Sequence, residues 1–123
     1  MLIAVVDDEE LIRRALVRLL RAAGYAANSF SSGHAFLQSW RIERPDCVVL
    51  DLKMPGLSGI DVQRALDQAG ARLPVVIITA HDELGSPAAC LAAGASAYLR
   101  KPLDADELIQ AIGKAILTSE EMH

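Results

Sequence analysis

Five polar residues stand where they could do chemistry together. Asp7 and Asp8 follow the apolar run LIAVV, Asp51 follows CVVL, Thr79 follows VVII, and Lys101 comes two residues after AYL. Carboxylates brought together repel. At about 4 Å and an effective dielectric of about 20, each contact costs roughly 4 kcal/mol. A hard divalent cation is the natural remedy, and Mg²⁺ suits a site with one or two carboxylates, a main-chain carbonyl and waters. Three carboxylates against Mg²⁺ and Lys101 balance, which leaves the site ready to accept an anion such as a phosphoryl group. Asp51 is the candidate nucleophile, because a carboxylate can form an acyl phosphate. Asp7 and Asp8 are better placed to hold metal. Thr79 can donate to a phosphoryl oxygen and Lys101 can pair with another. Phosphoryl transfer needs little beyond such positioning and neutralisation.

These residues converge only if the runs before them are strands of one sheet. Leu2–Val6, Cys47–Leu50 and Val75–Ile78 are continuously apolar, with Ala97–Leu99 a weaker fourth run. Continuous apolarity predicts burial on both faces, as in a parallel sheet covered by helices. Tyr25–Phe30, broken by Asn28 and Ser29, is placed at an edge. Helical patterns fall between: Glu9–Ala23, stopped by Gly24; Gly33–Ile42; Ser58–Ala69, opening on Ser58-x-x-Asp61 and stopped by Gly70; and Asp104–Leu117, opening on Asp104-x-x-Glu107. A short Ala-rich helix is expected between Gly85 and Gly94, with Ser86 as cap and Pro87 at its first position. It buries little and should be the least stable element. Five βα units in a row predict an α/β fold with a doubly wound five-stranded parallel sheet and right-handed crossovers. In strand order 2-1-3-4-5 the first and third strands are neighbours, and site residues gather at the carboxyl ends of the strands.

The 123 residues form one domain and can bury a real core. Residues 1–117 carry the fold, and 118–123 read as a polar tail or the start of a linker. The net charge of −4 argues against direct nucleic-acid binding. No signal peptide or membrane-spanning run is visible, so the expected compartment is the cytoplasm. Cys47 and Cys90 lack metal or redox spacing and read as small buried hydrophobes. His34 and His123 read as surface residues, and Arg14, Arg18 and Arg21 as a solvated helix face.

At VVDDEEL, LDLKMPGLSG, IITAHDE and the GA-AYLRKP segment, the chain resembles the receiver domain of two-component response regulators over its whole length. The resemblance implies a flavodoxin-like (βα)5 fold, like that of chemotaxis regulators. It implies phosphoryl transfer from a sensor histidine kinase onto Asp51. Mg²⁺, with Mn²⁺ as a substitute, would be held by Asp8, Asp51 and the Lys53 carbonyl, with Asp7 acting through a bound water. Thr79 and Tyr98 would form a switch pair, and the Lys101–Pro102 bond would be cis. The domain would catalyse only its own phosphorylation and dephosphorylation. Phosphorylation would reshape the face made by the short fourth helix, the fifth strand and the last helix, which could also serve a homodimer. Lys53 and His81, each two residues past a site residue, should tune how long the phosphoryl group stays.

The last helix lacks a dense basic pattern, which favours a NarL/FixJ-type transcription regulator with a helix-turn-helix effector. A stand-alone chemotaxis-like receiver or a phosphorelay intermediate is the alternative. Other classes fit less well. A flavin or nucleotide domain of this topology wants a Gly/Ser/Thr-rich cradle after the first strand, where this chain has Asp7-Asp8-Glu9-Glu10. A Mg²⁺-dependent aspartyl-phosphate hydrolase would place its nucleophile after the first strand and need an enclosing cap. Each of these residues taken singly has a plainer role: Asp8 or Asp51 as a turn or cap, Thr79 as a strand end, Tyr98 as a half-buried strand aromatic. It is the joint pattern that points to a phosphoacceptor site.

Overall fold

The computed structural model describes residues 1–80 and 94–121. Its strands are β1 (Leu2–Val6), β2 (Ala26–Phe30), β3 (Cys47–Asp51), β4 (Val75–Thr79) and β5 (Ala97–Arg100). The described helices are α1 (Glu10–Ala22), α2 (Gly33–Ser39), α3 (Gly59–Gln68) and the last helix, α4 (Ala105–Glu121). The strands form one parallel sheet in the order β2-β1-β3-β4-β5. The helix expected between Gly85 and Gly94, with Cys90, and the residues His81 and His123 lie outside the described residues.

The apolar runs explain the layering. Every residue of β3 and β4 is buried, which needs cover on both faces. Ile3, Val5, Cys47, Val49, Val76 and Ile78 pack with Leu16 and Leu20 of α1 and Leu108 and Ile112 of α4. Val6, Val48, Leu50 and Ile77 pack on the other face with Phe36 of α2 and Val62 and Leu66 of α3. β2 stands at an edge and is only partly covered, as its mixed sequence predicts. Cys47 is fully buried, and burial pushes its thiol up to about 12, so it behaves as a small hydrophobe.

The helix starts follow their caps. Ser58 Oγ accepts from the Asp61 amide at 3.2 Å, and Asp61 Oδ2 accepts from the Ser58 amide at 3.0 Å. That reciprocal pair holds the Asp61 carboxyl below its usual range. Asp104 Oδ1 accepts from the Glu107 amide at 3.0 Å. Most boundaries fall within one residue of those expected, and two helix ends differ by more. α2 ends at Ser39, because Trp40 turns in to bury against the core while Ile42 is left exposed before the chain enters β3. α4 continues past Leu117 to Glu121, since Thr118–Glu121 contain neither glycine nor proline to stop it.

Candidate phosphoacceptor site

The register places the acids. β1 and β3 pair in parallel, with Val6 opposite Leu50 as their last partners. One step further along each strand stand Asp7 and Asp51, on the same side of the sheet. The next residue, Asp8, begins the turn into α1. Carboxylate oxygens of Asp7, Asp8 and Asp51 lie within 4.8 Å of one another. Asp7 and Asp51 are buried, and Asp8 opens to solvent.

Lys101 closes the site from the far side of β4. Its main-chain amide donates to the Thr79 carbonyl at 2.7 Å, tying the turn after β5 to the end of β4. Its Nζ then reaches Asp7 Oδ2 at 3.2 Å and Asp51 Oδ1 at 3.6 Å. The Lys101–Pro102 bond is cis. Thr79 is buried at the end of β4. Tyr98 lies opposite Ile77 in β5 and packs on the α3 side of the sheet, the face that Thr79 shares through the strand's two-residue alternation. Lys53 is exposed just beyond Asp51.

One ammonium does not offset three carboxylates. Burial and then the charge of Asp7 push the Asp51 carboxyl up to about 6, against the opposing pull of Lys101 and the Lys53 amide. A buried acid under that strain suits a divalent cation: the donors are all oxygens, and the exposed Asp8 side leaves room for waters. The acidic cluster could therefore hold a metal ion.

The chain matches the family model described as "Response regulator receiver domain" over residues 3–113. The chain belongs to the response regulator receiver family. This receiver is 36% identical over 117 residues to the DNA-binding transcriptional regulator NtrC of Klebsiella pneumoniae, covering 95% of this chain and 25% of that protein. A receiver domain protein from Clostridium thermocellum superposes with a TM-score of 0.91 at 33% identity, covering 99% of this chain and 98% of the other. Full-length FixJ from B. japonicum gives 0.90 at 33% identity, covering 97% of this chain and 59% of FixJ. The receiver thus spans about a quarter of NtrC, the rest of which has no counterpart in these residues.

Two residues that hold the receiver's site were not legible as such. Arg13, one helical turn into α1, donates from Nη1 to the Asp7 carbonyl at 2.8 Å. In the sequence it is one of several arginines, and only the structure shows that it turns back toward β1. Gly59 opens α3, and its amide donates to the Leu52 carbonyl at 2.9 Å. A Cβ there would sit 2.9 Å from the Asp51 carbonyl oxygen and 3.0 Å from Leu52 Cα. Backbone on that side cannot yield cheaply. Gly59→Ala is expected to cost about 1–3 kcal/mol in urea unfolding and to slow modification of Asp51 by displacing the end of β3. An alanine variant of wild-type stability would show that the close approach is not required.

Proposed function

We propose that this receiver accepts a phosphoryl group on Asp51 from the phosphohistidine of a sensor kinase. The observation that carries the proposal is the convergence of Asp7, Asp8 and Asp51 with Lys101 Nζ 3.6 Å from Asp51 Oδ1. Asp8, Asp51 and the Lys53 carbonyl would hold Mg²⁺, with Asp7 acting through a bound water. When bound, the ion supplies positive charge against the carboxylates and the phosphoryl oxygens.

Asp51 acts as nucleophile: its oxygen bonds to phosphorus as the P–N bond to the kinase imidazole breaks. The bonding pair returns to the imidazole nitrogen, which regains a proton from solvent. Lys101 holds Asp51 in place and pairs with a phosphoryl oxygen as charge builds. Thr79 donates its hydroxyl to another oxygen. As Thr79 turns toward that oxygen it leaves room beside β4, and Tyr98 turns inward on the same sheet face. This shifts a population between two arrangements of one fold. Lys53 and His81, each two residues past a site residue in the sequence, tune the lifetime of the phosphoaspartate.

The relatives support a reading of the output. NtrC is a DNA-binding transcriptional regulator. This receiver would likewise govern a DNA-binding effector through the surface around β5 and α4, which could also pair two copies. Among the described residues no helix is long and apolar enough to cross a membrane, and the cytoplasm is the proposed compartment. Beryllofluoride, an acyl-phosphate mimic, tests the site. With Mg²⁺ it is expected to shift the amides around Thr79 and Tyr98 in wild type and to leave Asp51→Asn unmoved. Equal shifts in both would remove Asp51 from the role.

A further inference from the structure

The turn that presents Asp8 is short and poorly anchored at its own end. Glu9 is the N-cap of α1, yet its side chain makes no capping hydrogen bond. Asp8 and Glu9 are exposed, so neither is held by packing. The Glu9 carbonyl accepts from the Arg13 amide at 3.0 Å, and the rest of the turn's hold runs through Asp7. The Glu9 amide donates to Asp7 Oδ1 at 2.9 Å, Lys101 Nζ donates to Asp7 Oδ2 at 3.2 Å, and the Asp7 amide donates to the Phe30 carbonyl at 3.2 Å. The remaining handle is the Asp7 carbonyl, which Arg13 Nη1 holds at 2.8 Å. That carbonyl belongs to the peptide unit joining Asp7 to Asp8. Because the peptide is planar, its oxygen and the Asp8 Cα turn together about the Asp7 Cα–C bond, so holding the oxygen restrains where the Asp8 Cα is placed.

We propose that Arg13 is a positioning residue for the metal site: it clamps the Asp7–Asp8 peptide so that the Asp8 carboxylate faces Asp51. The inference rests on the reading of the acidic cluster as a Mg²⁺ site. The guanidinium suits the task because its planar fork is rigid, so little freedom is lost when it holds the carbonyl. Arg13 is half-buried, whereas Arg14 and Arg18 on the same helix are exposed.

Charge and position predict opposite signs for removing Arg13. A nearby cation repels Mg²⁺, so charge alone makes Arg13→Ala bind the ion more tightly. Loss of the clamp makes it bind more weakly, by about tenfold, the scale on which outer partners act on metal affinity. The experiment is a Mg²⁺ titration of the full chain at constant ionic strength, followed by the amide chemical shifts of residues 7–9 and 51–53. Arg13→Ala is expected to raise Kd about tenfold. Arg13→Met, which keeps most of the aliphatic stem, should do the same and serves if alanine unfolds the chain. A Kd that falls or does not change overturns the assignment. So does a lowered unfolding midpoint, equal with and without Mg²⁺, at wild-type Kd, which is the mark of a merely structural role. Wild-type amides that ignore Mg²⁺, or that respond equally in Asp51→Asn, overturn the metal reading itself and the clamp with it.

Discussion

Lys101→Met is expected to slow phosphorylation of Asp51 by about 10²–10³-fold at saturating Mg²⁺ and donor, the range found when a preorganised electrostatic donor is removed. The ammonium contacts both buried acids, at 3.2 Å to Asp7 and 3.6 Å to Asp51. Methionine keeps the stem and deletes the charge. The loss should appear in the rate constant with little change in donor KM, because the charge that Lys101 meets grows during transfer. The metal-free protein should also lose stability, on the order of 3 kcal/mol, since breaking a buried pair leaves an uncompensated carboxylate. Mg²⁺ should restore much of that stability and not the rate. A stopped-flow rate close to wild type would mean that Lys101 is structural only.

Asp51→Asn is expected to do the opposite to the fold: it should stabilise the metal-free protein at pH 7. In the native state the Asp51 carboxyl is raised from 3.8 to about 6, first by burial and then by Asp7. Between those two values the folded chain binds more protons than the unfolded chain. Stability from this group is therefore full below pH about 4, falls as pH rises, and is gone above pH about 6. Asparagine does not titrate and escapes the loss. Full conversion of the shift would give about 3 kcal/mol, but the site opens to solvent at Asp8, and screening reduces the expected gain to about 1–2 kcal/mol at neutral pH. Urea melts in chelator should show the two proteins together below pH about 4, parting as pH rises to about 6, and a constant distance apart above it. Adding Mg²⁺ should narrow the gap by stabilising the wild type more. An asparagine variant that is less stable at pH 7, or a gap that ignores pH, would contradict the electrostatic account.

Much of this architecture could be read from strand ends. β1, β3 and β4 are continuous apolar runs, and a residue buried on both faces needs no tertiary information to be recognised. The order of strands then brought Asp7, Asp8 and Asp51 together, with Lys101 across β4, because each stands at or just past the carboxyl end of a strand. Caps fixed the starts of α3 and α4, where Ser58 and Asp104 accept the expected amides. Helix ends were less legible. Ile42 fits the apolar spacing of α2 but is exposed, since Trp40 takes the last buried place. The supports of the site were least legible. Nothing in an Arg-rich stretch says that Arg13 turns back to a carbonyl while Arg14 and Arg18 face water. Gly59 reads as a turn glycine, and its need for a missing Cβ arises only where α3 meets the end of β3.

The central claim is that Asp51 is the phosphoacceptor of a Mg²⁺-dependent site. Incubating the protein with a small acyl-phosphate donor, then measuring intact mass and mapping the peptides, tests it most directly. The account predicts one added phosphoryl group per chain, located on Asp51, abolished by chelator and by Asp51→Asn. A phosphoryl group that persists in Asp51→Asn, maps to another residue or forms without divalent metal would contradict it.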